Sequence, residues 1–178
     1  MPAPKRLSRP RRLNASPAAG MFPHTVTLYN VAVRTGRGTV RSTVESSVTL
    51  LRGVFLDASR GADPDRNGLE GADGAVLYVP SGVEAVDAVT GEPKAYLPPV
   101  EFWSAGDKSG FWTLAASSRS APGRGFTFFV KGLALPPEGT PPEEVRGRLE
   151  ALYDQVYHVS RIKERNFGGL AHWEIGGV

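Results

Sequence analysis

The sequence predicts a mainly β protein, a small antiparallel β-barrel or sandwich. Aromatic and β-branched residues are grouped in short runs, and turn residues, among them many of the 15 prolines and 21 glycines, separate these runs. Such a pattern is typical of short strands joined by turns. A chain of 178 residues is long enough for one domain with its own core and too short for two large ones. We therefore expect a single domain over residues 21–178, preceded by a short arm.

The predicted strands follow one another along the chain. In the first, residues 24–33, Val26 and Leu28 share one face and their neighbours in sequence share the other. Residues 48–55 are apolar on both faces, as expected of a central strand that is covered on both sides. The remaining predicted strands are residues 75–80, 100–103, 111–116, 126–130, 156–162 and 171–175.

Aromatic residues in the middle of the chain are expected to fill much of the core. Their strands carry no interleaved lysine or arginine, so packing is favoured over stacking on nucleic-acid bases. The residues are Trp103, Phe111, Trp112, Phe126, Phe128 and Phe129.

One helix is predicted over residues 141–153, just before the last two strands. Thr140 is in the N-cap position and two prolines follow it. Glu143 comes three residues after Thr140, which is the spacing of a capping box. Val145, Leu149 and Leu152 would then share one face of the helix. We expect this helix to pack across one face or end of the sheet.

The last two predicted strands form a C-terminal hairpin around a polar connection at residues 165–169. In the second strand Trp173 and Ile175 lie on one face, and His172 and Glu174 lie on the other. This alternation predicts that the hairpin closes the β-domain with one face inward.

A long polar insertion is predicted at residues 57–74, with four glycines and a proline. It is too long for an ordinary hairpin connection, and long loops in compact domains are often functional. We interpret it as a candidate assembly or gating loop. The candidate residues are Asp57, Arg60, Gly61, Asp63, Asp65, Arg66, Asn67 and Gly68.

The insertion also contains the first half of a calcium-binding loop. Asp63, Asp65, Asn67 and Gly68 have the required spacing, but Gly74 occupies the position where such a loop needs a bidentate glutamate. A calcium-dependent binding domain is therefore an alternative that the sequence disfavours.

A basic arm occupies residues 1–20, which contain four prolines and no hydrophobic periodicity. We expect it to be disordered and regard it as a candidate contact for DNA or for a partner protein. The rest of the chain has 16 basic residues against 18 acidic ones, a net charge of −2. The basic residues of the arm are Lys5, Arg6, Arg9, Arg11 and Arg12.

Catalytic and metal-binding signatures are missing from the sequence. There is no cysteine, the three histidines are far apart, and no phosphate-binding loop, nucleophile elbow or zinc-protease motif occurs. We expect no enzyme, no metal and no cofactor. No apolar run of 18 residues occurs, so we expect no membrane partner, and synthesis in the cytoplasm fits the absence of cysteine.

Several short blocks occur in a fixed order along the chain: residues 21–30 (MFPHTVTLYN), 51–54 (LRGV), 59–61 (SRG), 68–69, 72–73, 77–80 (LYVP), 130–132 (VKG) and the terminal stretch 157–177. Together these blocks resemble a family of tailed-bacteriophage proteins, the head-closure or stopper proteins of the head–tail connector. The resemblance begins near residue 21, and it does not cover the basic arm.

This resemblance implies a β-barrel with a long insertion and no catalytic residues. It implies a homo-oligomeric ring in the virion, made in the cytoplasm of the host bacterium. The ring would lie below the portal and adaptor and above the tail terminator or tail tube. It would retain packaged double-stranded DNA, which passes through its channel, and dock the tail.

Two other functions remain open at this point. A tail terminator or tail-completion protein is also a small mixed-β ring protein of the same assembly. A nucleic-acid-binding module that uses the basic arm is the alternative from a different class. The sequence does not distinguish a gating loop from a passive surface insertion at residues 57–74.

Overall fold

The computed structural model describes residues 20–35, 42–59, 63–65, 68–70, 74–116, 125–166 and 168–178. These residues form eleven strands and two helices. The strands are β1 His24–Thr35, β2 Ser42–Ser59, β3 Asp63–Asp65, β4 Gly68–Glu70, β5 Gly74–Pro80, β6 Glu84–Asp87, β7 Ala95–Tyr96, β8 Phe111–Trp112, β9 Phe126–Lys131, β10 Val156–Arg165 and β11 His172–Gly177, and the helices are α1 Pro99–Ser104 and α2 Val145–Leu152.

Seven strands form one antiparallel sheet in the order β1-β9-β10-β11-β5-β2-β6. Because β1 also pairs with β2, the sheet comes round to an almost closed ring of six strands, β1-β9-β10-β11-β5-β2. The prediction of a mainly β, antiparallel, barrel-like fold is confirmed. No helix within the described ranges is long and apolar enough to cross a membrane.

Strand β2 is the longest, with 18 residues, and it joins the two ends of the ring. β1 pairs along one stretch of it, while β5 and β6 pair with it in succession. The β1–β2 register shifts at Gly53, which lies between the partners of His24 and Thr25 and has a φ of 80°. Glycine suits this position because an extra residue in a bulge often requires a positive φ.

Alternate residues of the six strands point inward and fill the barrel. Phe129, Tyr157 and Ile175 are all buried in this interior. The C-terminal hairpin is inward-facing on the side of Trp173 and Ile175, as the alternation predicts. The interior is therefore a packed core and not a channel. Its other large members are Val26, Leu28, Leu51, Leu56, Leu77, Val79, Trp112, Leu114 and Val159.

Helix α2 covers the outside of β1 and β9. Val145 and Leu149, one turn apart, pack there against a second buried cluster that includes Phe128 and Val130. In the same cluster the ring of Tyr29 stacks on that of Phe128, with centroids 4.7 Å apart. The predicted helix before the terminal hairpin is thus confirmed.

The predicted start of this helix, at residue 141, is wrong. Helix α2 begins at Val145, and the Thr140 hydroxyl donates to the Pro137 carbonyl at 2.6 Å instead of capping the helix. The Glu144 amide donates to the Pro141 carbonyl at 2.9 Å, so the residues assigned to the first helical turn form a separate turn.

The segment between β6 and β9 closes one end of the barrel. Its strands β7 and β8 form a short parallel pair. Residues 100–103, predicted as a strand, instead lie in helix α1, because Pro99 occupies its first turn and the Phe102 amide donates to the Pro98 carbonyl at 2.9 Å. Phe102 is fully buried, whereas Trp103, predicted for the core, is only partly buried, as are Phe111 and Phe126.

A buried polar network holds this closing segment in place. The Asn30 side-chain amide donates to the Thr113 carbonyl at 2.8 Å and to the Thr127 hydroxyl at 2.9 Å. Its carbonyl oxygen accepts from the Thr113 amide at 3.2 Å. The Thr113 hydroxyl in turn donates to the Leu97 carbonyl at 2.7 Å. These bonds satisfy polar groups that would otherwise be costly to bury.

A buried ion pair fixes the start of the same segment. The Lys94 ammonium lies 2.9 Å from the Asp87 carboxylate and donates to the Ser47 hydroxyl and the Val48 carbonyl. Burial raises the pKa of Asp87, but hydrogen bonds from Lys94 and from the amides of Thr90 and Val89 outweigh it and lower the pKa to about 2. The pair ties the segment to β2 and β6.

Candidate functional site

Part of the predicted insertion is regular β-structure. Asp57 is an exposed residue of β2, paired with Val76 of β5, and this ladder continues to Ser59 and Gly74. The expectation of a loop from residue 57 is therefore wrong, because backbone pairing with β5 extends β2 by three residues beyond Leu56. Residues 60–62, 66–67 and 71–73, which include the candidates Arg60, Gly61, Arg66 and Asn67, lie outside the described residues.

Inside the insertion, β3 and β4 form a second small ladder. Asp63 pairs with Glu70 and Asp65 pairs with Gly68. In a calcium loop of the EF-hand type, these first positions curve around the ion and do not pair in a straight antiparallel ladder. The backbone thus argues against the calcium alternative. Among the residues that the structure describes, no group of three acidic, histidine or cysteine residues is placed to hold a metal ion.

The basic arm cannot be compared with the structure. Lys5, Arg6, Arg9, Arg11 and Arg12 all lie outside the described residues. Its candidate role in contacting DNA or a partner stays a prediction.

A row of side chains crosses the outside of the barrel where β2, β5, β11 and β10 lie side by side. Phe55 pairs with Tyr78, Tyr78 pairs with Glu174, and Glu174 pairs with Lys163. Directly opposed residues on one face of a sheet are close neighbours, so the four side chains form one continuous row. We call this row and its flanking residues the outer sheet face, which comprises Phe55, Tyr78, Glu174, Lys163, His24, His172, Arg161 and Arg165.

One half of the outer sheet face is aromatic. The ring of His24 stacks on that of Phe55 at 5.4 Å, Phe55 is 5.9 Å from Tyr78, and Tyr78 is 6.0 Å from His172. Phe55 nevertheless leaves 37% of its surface exposed. His24 also has a structural role, since its Nδ1 accepts a hydrogen bond of 2.9 Å from the Leu56 amide.

The other half of the outer sheet face is cationic. Arg165 and Arg161 approach opposite oxygens of Glu174, at 3.1 and 3.7 Å, and Lys163 lies beside the same carboxylate. Hydrogen bonding from Arg165, with the nearby charges of Lys163 and Arg161, lowers the pKa of Glu174. Three cations thus share one carboxylate, which leaves this half with a net charge of +2.

The side of the barrel that α2 covers has the opposite charge. Glu138, Glu143 and Glu144 are exposed in the turn that leads into the helix, and Arg148 pairs with Glu144 at 3.2 Å. These four residues, which we call the acidic turn, carry a net charge of −2. On the helix itself Arg146 and Glu150 pair at 2.7 Å and balance each other.

The three histidines do not meet. His24 and His172 lie at the two ends of the aromatic row, while His158 lies between the rings of β9 and helix α2. Burial lowers the pKa of His158, with Arg146 acting in the same direction, and its Nε2 is 3.7 Å from Glu150. Within the described ranges, no histidine forms a hydrogen bond with a serine or threonine hydroxyl.

Residues 21–178 match the model of one protein family over almost the whole chain. The chain belongs to DUF6751, a family of unknown function. No curated protein and no solved structure matches the chain. The part that matches the DUF6751 model includes the barrel, α2, the outer sheet face and the acidic turn, and it excludes the basic arm.

Proposed function

We propose that this DUF6751 protein is a structural component of the head–tail junction of a tailed bacteriophage. In this proposal several copies form a ring below the portal and adaptor, retain the packaged DNA and dock the tail. The blocks that resemble stopper proteins support it by their positions. They fall in and beside the barrel strands β1, β2, β5, β9, β10 and β11 and in the insertion between β2 and β5.

The observation that carries the proposal is the insertion between β2 and β5. The β2–β5 ladder beneath it stays part of the barrel as far as Ala58–Ala75 and ends at Ser59–Gly74, and the insertion beyond contains the second ladder of β3 and β4. A polar, paired extension of this kind can reach a neighbouring protein while the barrel stays folded. We assign it the role of the gate, or of the contact that forms on assembly.

The packed interior supports a ring made of several copies. The barrel is filled by side chains such as Phe129, Tyr157 and Ile175, so DNA cannot pass through a single chain. A DNA channel would therefore lie between copies. The net charge of −2 over residues 21–178 suits such a channel, because a basic lining would hold DNA by counterion release.

Shortening the insertion tests its role. Ser59 and Gly74 are paired, so replacing residues 60–73 with Asn-Gly should close a tight hairpin without disturbing the barrel. We expect the variant to fold with an unchanged melting temperature. In a phage that lacks the wild-type gene, it should give heads that lose DNA or do not join tails, as electron microscopy and a DNA assay would show.

The control keeps the length of the insertion and changes only its sequence. A Gly/Ser linker of equal length at residues 60–73 separates the need for a specific contact from the need for a spacer. Infectious particles at the wild-type yield from the shortened variant would remove the gate assignment. DNA-filled heads beside tails of abnormal length would favour the tail-terminator alternative.

A further inference from the structure

The outer sheet face and the acidic turn are two separate surfaces of the barrel. In the ring of six strands, β5, which carries Tyr78, is three strands away from β9 in either direction. Strand β9 carries Phe128 and Val130, against which α2 packs, whereas the cations of the outer sheet face lie on β10 beyond the stretch Val156–His158 that pairs with β9. A molecule with two different contact surfaces can join identical copies head to tail.

The two surfaces have complementary charges. The cationic half of the outer sheet face carries +2 and the acidic turn carries −2, while Asp57, exposed on the same face of β2 two residues beyond Phe55, adds one negative charge beside the aromatic half. Among the described residues, Lys163 acts on Glu174 only through its nearby charge and forms no salt bridge of its own, and neither Glu138 nor Glu143 forms one with the described part of the chain. These charges are therefore available to a partner, and opposite charges favour association and fix its orientation.

The aromatic half of the outer sheet face suits a protein partner better than nucleic-acid bases. The rings stand side by side across the strands, and the stacking of His24 on Phe55 occupies a ring face that a base would need. Phe55 still exposes 37% of its surface, and Tyr78 lies between it and Glu174 of the cationic half. An aromatic residue bordered by charges is a common centre for a protein–protein interface.

We propose that the outer sheet face of one copy binds the acidic turn of a second copy, so that the chains associate head to tail. This inference rests on the proposed function, since it names the surfaces through which the subunits of the ring would meet. In the assembled ring, Phe55 would be covered, and Lys163 and Arg161 would face Glu138 and Glu143 of the neighbouring copy.

Paired charge reversals test the proposal. One variant carries Arg161→Glu and Lys163→Glu, which changes the cationic half of the outer sheet face from +2 to −2. The other carries Glu138→Lys and Glu143→Lys, which changes the acidic turn from −2 to +2. Each variant alone sets like charges against each other, so sedimentation equilibrium at low salt should show a dissociation constant raised about tenfold or more.

A third variant combines all four reversals and restores opposite charges across the contact. We expect its dissociation constant to return to within about threefold of the wild-type value. Recovery of the dissociation constant in the combined variant would show that the two surfaces meet between copies. Phe55→Ala should weaken association by about tenfold without a charge change. Glu92→Lys with Glu101→Lys is the matched control, and we expect wild-type association from it.

Three results would overturn the proposal. The first is a wild-type chain that stays monomeric at every concentration, and the second is a combined variant that associates no better than the single-surface variants. The third is loss of duplex DNA binding by the Arg161→Glu and Lys163→Glu variant with unchanged self-association. If the chain associates strongly and the charge reversals leave its dissociation constant unchanged, the subunit contact lies elsewhere, and the head–tail proposal is not affected.

Discussion

Replacing Lys94 with methionine is expected to lower the free energy of unfolding by about 3 kcal/mol. The Lys94 side chain is only 1% exposed, and its ammonium satisfies the Asp87 carboxylate, the Ser47 hydroxyl and the Val48 carbonyl. Methionine fills a similar volume but leaves all three acceptors without their donor. Urea unfolding at pH 7 would measure the loss, and a change below about 0.5 kcal/mol would contradict the structural role of the pair.

The partner of Lys94 provides the control. Asp87→Asn keeps an acceptor for the amides of Val89 and Thr90, so the double variant Lys94→Met, Asp87→Asn should lose less stability than the sum of the two single losses. Lys131→Met, at an exposed position of β9, should change stability by less than about 0.5 kcal/mol.

Acid sensitivity provides a second check on the same pair. The pKa of Asp87 is about 2, below the ordinary value of about 3.9 for an unfolded chain. The contribution of ionised Asp87 to the free energy of unfolding is therefore complete above about pH 4 and is lost as the pH falls towards 2. Lys94→Met should reduce this part of the pH dependence, because it removes the Lys94 hydrogen bond, which lowers the pKa of Asp87 more than any other contact does.

Asn30→Ala is expected to cost about 3 kcal/mol and to loosen the closed end of the barrel. Asn30 is 1% exposed, and its side chain bonds both backbone groups of Thr113 and the Thr127 hydroxyl. Alanine leaves these buried groups unpaired and opens a cavity. Urea unfolding would measure the cost, and hydrogen exchange at the Thr113 amide should become faster.

Asn166→Ala is the matched control for this prediction. The Asn166 amide also donates to a side chain, the Glu164 carboxylate at 2.8 Å, but both residues are exposed. The same truncation there should change stability by less than about 0.5 kcal/mol. Equal losses from the two truncations would show that burial of the Asn30 network is not what stabilises the barrel end.

Much of the fold could be predicted because the barrel strands alternate or are continuously apolar. The strands at residues 24–33, 75–80 and 126–130 agree with β1, β5 and β9 to within two residues at each end. The polar start of β2 was not predictable in this way, because Ser46 and Ser47 are held by backbone pairing with β1 and not by apolar side chains.

The errors came from segments that are too short for periodicity to decide. Helix α1 has six residues, and its Phe102 and Trp103 have a high β-propensity that favoured a strand. Proline before such a run is equally compatible with the first turn of a helix. The Thr140 hydroxyl bonds a carbonyl three residues before it, and that competing contact displaced the predicted capping box.

The grouping of residues on the outer sheet face could not be predicted from the sequence. The alternation in the terminal hairpin placed His172 and Glu174 on one face, but nothing in the sequence relates them to Phe55 or Tyr78. Their proximity depends on the register of β5 between β2 and β11. The order of strands in the ring, which brings distant segments side by side, decides which residues share a surface.

Electron microscopy of the lysate from a phage or prophage in which this gene is deleted, with an assay of packaged DNA, tests the proposed function most directly. The head–tail account predicts heads that have lost their DNA, lying beside separate, finished tails of normal length. Supplying the wild-type chain should restore joined particles. Normal infectious particles from the deletion would contradict the account.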